Sequence, residues 1–332
     1  MKISIFCIFL VFFQPLQLFP GNADLKTIGD IRPFSVFFET DDELFREVLW
    51  SKIANSKPPE RPKIGIALSG GGARGFAHAG VLEVLNYSGF PVDFVSGTSM
   101  GAVVGGLYSL GMSVEDIRKF SKKTASLRVS RDFRGIKFIS LLISDKLLSP
   151  TYITQFIETN FGNAEFESLK KPFACVAMDL KTGEKIIFRE GPVAAAVRAS
   201  VNLPGIFAPV EYRHRYLVDG GVVDFIPVDA AKLLGAEWIL SSVTEGEVRD
   251  IPDNVFMALL QVIDIRGAML AKAAEKESDF IVKPNVKDIK VADFERCEEA
   301  GERGIMETAR IINKAKESLI IYWFAKKSAE KL

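Results

Sequence analysis

Ser99 sits in Gly97-Thr98-Ser99-Met100-Gly101, a G-x-S-x-G turn of the kind that presents a nucleophilic hydroxyl between a strand and a helix. Glycines two residues before and two after the serine remove the Cβ atoms that a sharp turn would drive into its neighbours. An alcohol attacks a carbonyl only when a base takes its proton and donors hold the oxyanion that forms. Donors are offered by Ser69-Gly70-Gly71-Gly72-Ala73-Arg74-Gly75, a row of backbone N–H groups with little side-chain obstruction. The bland alternative for Ser99 is an ordinary helix N-cap between tightly packed glycines.

Histidine is the usual base, and the chain has only two. His78 shares a helical face with Val81, Leu82 and Leu85, so it is expected in the core. His214 lies in the polar turn Tyr212-Arg213-His214-Arg215-Tyr216 of a hairpin and is expected on the surface. The stronger candidate is Asp219 in Leu217-Val218-Asp219-Gly220-Gly221, a carboxylate ending an apolar strand, with glycines that allow close backbone approach. An aspartate, with an ordinary pKa of about 3.9, is a weak base. Partial desolvation raises it, and proton transfer can accompany attack.

The glycine row also satisfies the dinucleotide fingerprint G-x-G-x-x-G. That reading needs an acid ending the second strand, whereas Asp93 stands at the beginning of its strand. No Gly-Lys-Ser/Thr follows, so the phosphate loop of nucleotide hydrolases fails too.

The elements that must hold these groups follow from periodicity. Strands are expected at 64–68, 92–95, 173–178, 185–188, 216–218, 238–243 and 280–283. Helices are expected at 76–87, 100–110, 193–199 and 228–234, with a long one after Phe294. The early β-α-β-α alternation reads as a parallel sheet. A short helix is expected before residue 50, starting at Asp41 and Asp42 with Leu44, Phe45, Val48 and Leu49 on one face, followed by a linker over 51–62.

The 332 residues carry 42 basic and 42 acidic side chains, and 48% are apolar. This describes a globular chain with a large core and argues against disorder. A balanced charge lacks the basic footprint of nucleic-acid binders, so nucleic acid is not an expected partner. Two histidines and the scattered Cys7, Cys175 and Cys297 do not make a zinc site. Cys175, inside Phe173-Ala174-Cys175-Val176-Ala177, is expected as a buried thiol rather than half of a disulfide.

Residues 1–23 begin with Lys2, run apolar from Ile5 to Phe13 and end in Gly21-Asn22-Ala23. That pattern resembles a cleaved secretory leader, which places the mature protein in the periplasm or outside the cell. The apolar run is short of the roughly 20 residues a membrane span needs, so an uncleaved anchor is the alternative.

Taken in order, three motifs make the chain similar to the patatin-like phospholipases, lipid acyl hydrolases that use a Ser-Asp dyad. They are Gly70-Gly71-Gly72-Ala73-Arg74-Gly75, Gly97-Thr98-Ser99-Met100-Gly101 and Asp219-Gly220-Gly221. Arg198-Ala199-Ser200-Val201-Asn202-Leu203-Pro204-Gly205-Ile206-Phe207-Ala208-Pro209 resembles the family's approach to the aspartate. The resemblance implies a three-layer α/β/α fold with a mainly parallel central sheet, occupying 63–327 after an extension and linker over 24–62. It also implies Ser99 as nucleophile, Asp219 as base, the N–H groups of Gly70, Gly71 and Gly72 as oxyanion hole with Arg74 shaping the loop, a lipid ester as substrate, and no metal or organic cofactor. Transfer of the acyl group to an alcohol, and lipid binding without turnover, are the alternatives. Asp224 stands where asparagine is more usual and adds a second carboxylate.

Between Arg118 and Lys137 eight basic residues face one acid, and Phe138-Ile139-Ser140-Leu141-Leu142-Ile143 follows. The 118–143 stretch suits an anionic membrane surface, against the plainer reading of a solvated helix face and a core strand or lid. Leu319 to Phe324, followed by Lys326 and Lys327, is expected as a packed terminal helix rather than an interfacial one.

Overall fold

The computed structural model describes residues 41–119, 151–247, 251–252 and 255–330. The expected leader over 1–23, residues 24–40 of the extension, and 120–143 of the basic and apolar stretch lie outside the described residues.

Among the described residues one eight-stranded sheet forms the centre. Its strands are β1 (Ile64–Leu68), β2 (Phe94–Thr98), β3 (Phe173–Asp179), β4 (Lys185–Phe188), β5 (Val210–Tyr212), β6 (Arg215–Asp219), β7 (Trp238–Ser242) and β8 (Phe280–Val282). Hydrogen-bonded pairing runs β5-β6-β3-β2-β1-β7-β8, with β2 and β6 end to end along one edge of β3 and β4 along its other edge. Every pair from β3 through β8 on that path is parallel, and β4, β5 and β6 add antiparallel pairs.

The helices are α1 (Asp41–Asn55), α2 (Ala77–Tyr87), α3 (Met100–Leu110), α4 (Thr151–Phe161), α5 (Val193–Ser200), α6 (Val228–Leu234), α7 (Val255–Glu275) and α8 (Cys297–Ala329). A period of two along the strands divides them between two faces. Ile64, Ile66 and Leu68 of β1 pack in one core with Leu82 of α2, Val104 of α3 and Ile311 of α8. Ala67, between them, packs on the other face with Val228 and Ala231 of α6 and Ala271 of α7. β3 divides the same way, Phe173, Cys175 and Ala177 to one side and Ala174 and Val176 to the other. Helices cover both faces of a mixed, mostly parallel sheet, as expected. Burying each large aliphatic side chain of β1 contributes about 1.5–3 kcal/mol.

Two differences from the expected elements have clear causes. β2 starts at Phe94 instead of Val92, because Asp93 is held outside it, and it runs on to Thr98 instead of ending at Val95, because Gly97 and Thr98 still pair with Leu68 and Val176. The Asp93 carboxylate accepts from Arg61 at 2.6 and 2.9 Å and from the Ile64 N–H at 2.8 Å. α1 extends to Asn55, into the expected linker, and buries Leu49, Trp50 and Ile53. Leu44, Phe45 and Val48 are exposed, because the last turns of the helix, rather than the first, meet the core. α4 and α7 were not anticipated as helices.

The end of α8 packs as expected, with Leu319, Ile320 and Trp323 buried and the Trp323 indole donating to the Glu60 carbonyl. Cys175 and Cys297 are both buried and free. No described helix is long and apolar enough to cross a membrane.

Candidate active site

The parallel strands β1, β2 and β7 end together, and the chain segments that leave them build the site. Ser99 is the first residue past β2 and adopts φ 53° and ψ −121°. A non-glycine residue is held in such a conformation at a cost of about 1–3 kcal/mol. The glycines around it are required sterically. A Cβ on Gly97 would lie 2.3 Å from the Gly101 carbonyl oxygen, and one on Gly101 would lie 2.3 Å from that of Leu68. Ser99 occupies the N-cap position of α3, yet its hydroxyl caps nothing. The Ser99 Oγ–H donates instead to Asp219 Oδ2 at 2.6 Å.

Asp219 ends β6 and is buried. Its second oxygen, Oδ1, accepts from the Gly221 N–H at 2.7 Å. Burial pushes the Asp219 carboxyl up to about 6, against the hydrogen bonds from Ser99 and Gly221 that draw it down. Gly220 is forced by proximity, because a Cβ there would stand 2.4 Å from the Val176 carbonyl oxygen. The arrangement is a hydroxyl already hydrogen-bonded to a buried carboxylate, which can therefore receive its proton as the oxygen attacks.

The glycine loop after β1 borders the same cavity as Ser99 and Asp219. Its three leading glycines do not play equal parts. The Gly70 N–H donates to the Phe225 carbonyl at 3.0 Å, so it is not free to meet an oxyanion. The Gly70 carbonyl accepts from Thr244 Oγ1 at 2.7 Å and from Ser69 Oγ at 2.9 Å, which anchors the loop to the chain leaving β7. Gly71 and Gly72 have φ of 148° and 56°. Side chains there would strike Thr244 Oγ1 and the Val291 carbonyl, each at 2.3 Å.

Arg74 is almost wholly buried and forms a two-pronged ion pair with Asp264 of α7, not a surface one. It also borders the cavity, tying the loop to the helix that forms the opposite wall.

Neither histidine joins the dyad. His78 is fully buried, with Nδ1 2.8 Å from Ser242 Oγ and Nε2 2.9 Å from the Ser69 carbonyl. Burial pulls its imidazole down to about 4, so it is neutral near pH 7. His214 is exposed at the tip of the β5–β6 hairpin, where Arg213 and His214 have φ of 46° and 67°. Asp224 leaves the dyad alone: its carboxylate faces Lys185, at 3.2 Å, and burial raises it to about 7.

Around the dyad the cavity is walled mainly by apolar side chains, among them Phe76, Met100, Ile153, Phe156, Leu260 and Phe294. Phe225, Thr244 and Asp264, which brace the glycine loop, carry no motif and were missed from sequence. Their contribution arises only when β7, α7 and the segment after Asp219 converge on residues 69–75. Arg118 and Lys119, the described members of the basic stretch, pair with Glu83 and Asp116.

A family model described as patatin-like phospholipase matches residues 66–232, half of the chain. The chain belongs to that family. An uncharacterised NTE family protein of Mycobacterium tuberculosis is 33% identical over 199 residues, 58% of this chain and 53% of that protein. A lysophospholipase of Meyerozyma guilliermondii is 33% identical over 187 residues, 56% of this chain and 13% of that protein. Among solved structures, human GIVD cytosolic phospholipase A2 aligns with a TM-score of 0.43 and 11% identity, over 85% of this chain and 65% of that one. This patatin-like chain spans from about half to under a third of the length of the mycobacterial relatives it matches.

Proposed function

We propose that the protein is a serine lipid acyl hydrolase that cleaves carboxylic ester bonds of phospholipids or lysophospholipids through Ser99 and Asp219. The 2.6 Å hydrogen bond from Ser99 Oγ to Asp219 Oδ2, at a strained turn opening into an apolar cavity, carries this reading. Ser99 Oγ attacks the ester carbonyl while its proton passes to Asp219. A carboxyl raised to about 6 is ionised at neutral pH yet more basic than an ordinary aspartate.

The oxyanion is held by backbone N–H groups of the glycine loop, which we assign to Gly71 and Gly72 because Gly70 donates to Phe225. The N-terminus of α3 behind Ser99 favours the same charge. Asp219 then returns the proton to the leaving alcohol. In the second half-reaction it takes one from the water that attacks the acyl-serine and gives it to Ser99 Oγ as the acyl–oxygen bond breaks. The apolar walls suit a fatty acyl chain.

Mass spectrometry of anionic phospholipid vesicles incubated with wild type and with Ser99→Ala tests the reading. Free fatty acid and lysophospholipid from the wild type alone are expected, and equal release by Ser99→Ala contradicts it. Acyl transfer to an added alcohol in place of fatty acid release would make the protein a transacylase.

Export and peripheral membrane contact belong to the same proposal. A mature N-terminus at Asp24 in the native host supports the first, and an intact residue 1 contradicts it. Neutralising Lys122, Lys123, Arg128 and Arg131 is expected to weaken binding to anionic vesicles, and unchanged binding contradicts contact through 118–143.

A further inference from the structure

We infer that Ser200 and Asn202, at the C-terminal end of α5, are positioning residues that fix both members of the dyad from a single segment of chain. The inference rests on the proposed acyl-transfer reading and extends it to residues that touch neither substrate nor the reacting oxygens.

Ser200 is fully buried, and its hydroxyl serves two backbones at once. It accepts from the Ser99 N–H at 2.9 Å and donates to the Val176 carbonyl at 2.7 Å. That contact holds the nitrogen of the strained nucleophile, while the Ala102 and Val103 N–H groups hold its carbonyl at 2.9 and 3.2 Å. Ser99 is thereby gripped on both sides, and its N–H is turned to the protein and away from an oxyanion.

Val176 is also no arbitrary anchor. It is the β3 residue opposite Thr98, and the next residue, Ala177, is opposite Asp219. Ser200 thus ties the nucleophile to the point on β3 where the two dyad strands meet.

Two residues on, Asn202 takes hold of the base. Its main-chain carbonyl accepts from the Asp219 N–H at 2.8 Å. Its side chain leaves the carbonyl no freedom to drift, because Nδ2 donates to the carbonyls of Ala208 and Leu217 at 3.0 and 3.3 Å. Its Oδ1 accepts from Arg198 Nη1 at 2.7 Å, and Arg198 Nε donates to Thr154 Oγ1 of α4 at 2.8 Å. The fully buried Asn202 amide thus has partners at both ends. A displacement of about 1 Å between nucleophile and base can lower turnover on the order of 100-fold, so a device that sets this spacing governs rate more than binding.

The test is hydrolysis of a soluble short-chain p-nitrophenyl ester by full-length wild type, Ser200→Ala and Ser200→Thr, followed across pH. Ser200→Ala is expected to lose on the order of 100-fold in kcat with KM nearly unchanged. Its acid limb should move to higher pH, because Asp219 loses part of the Ser99 hydrogen bond that draws its carboxyl down. Ser200→Thr, which retains a hydroxyl, should restore both. Should Ser200→Ala fail to fold, Ser200→Cys, with similar volume and a weaker hydrogen-bonding group, is read in its place for the same two effects.

The inference is overturned if the alanine or cysteine variant keeps wild-type kcat and acid limb. It is also overturned if activity falls only in proportion to folded protein and threonine restores nothing. A wild type inert toward the ester overturns the acyl-transfer reading itself, a result distinct from an active wild type matched by its Ser200 variants.

Discussion

Thr98 and Asp219 pair with consecutive residues of one strand, Thr98 with Val176 and Asp219 with Ala177. β2 runs parallel to β3 and β6 runs antiparallel to it, while β4 pairs with Cys175 to Met178. Since β4 and β6 both pair with Ala177 and Met178, β2 and β6 must share the other edge of β3 and meet there end to end. Sheet register thus sets the spacing of two groups 120 residues apart, and a slip of one residue would move one of them by about 3.3 Å. Such a displacement would exceed the whole Ser99–Asp219 contact.

The rate of ester hydrolysis should follow ionisation of Asp219. With its carboxyl at about 6, kcat/KM rises with pH through that value and levels above it. Asp219→Asn and Ser99→Ala should each lose at least roughly 1,000-fold, and His214→Ala should match wild type. A pH–rate series on the three variants and wild type checks this.

The same raised pKa makes Asp219 a liability for stability. Between about 3.8 and about 6 the folded chain holds a proton that the unfolded chain has released, so stability falls as pH rises through that window. Asn at 219 can keep both hydrogen bonds without the buried charge. Asp219→Asn is therefore expected to gain on the order of 2–3 kcal/mol at pH 8 and nearly nothing at pH 4, read from urea unfolding at both pH values.

His78 acts with the opposite sign. Its folded pKa of about 4 lies below the ordinary 6.5, so the unfolded chain binds more protons between them. Stability is fully present above about 6.5 and is lost as pH falls toward 4. Thermal melts of wild type and His78→Gln across that window should converge on acidification, since glutamine has no proton to gain.

The Arg74–Asp264 pair joins the glycine loop to α7 with side chains only 2% and 14% exposed. Asp264→Ala would leave a buried guanidinium without its counter-charge and should cost about 3–5 kcal/mol. The double variant Arg74→Met/Asp264→Leu should recover much of that loss, as a double-mutant cycle by denaturant unfolding would show.

The residues that local sterics demand were legible in the chain. Gly97, Gly101 and Gly220 mark close backbone approaches, and those marks point to Ser99 and Asp219 before any fold is known. His78 was readable from its helical period, and His214 from its turn. What could not be read from the chain was not local. Leu44, Phe45 and Val48 have a helical period, but which turn of α1 meets the core depends on α8 and on Phe90, whose ring lies 5.1 Å from that of Trp50. Gly70 belongs to the expected donor row, yet its N–H is taken by Phe225, 155 positions away in the chain. Phe225, Thr244 and Asp264 matter only through such crossings.

The central claim is that Ser99 is activated by Asp219 alone. Fluorophosphonate labelling at pH 8, with the adduct located by peptide mass spectrometry, tests it most directly in wild type and Asp219→Asn. The account predicts an adduct on Ser99 in the wild type and almost none in folded Asp219→Asn over the same time. Labelling of Asp219→Asn at the wild-type rate, or an adduct on a different serine, would contradict it.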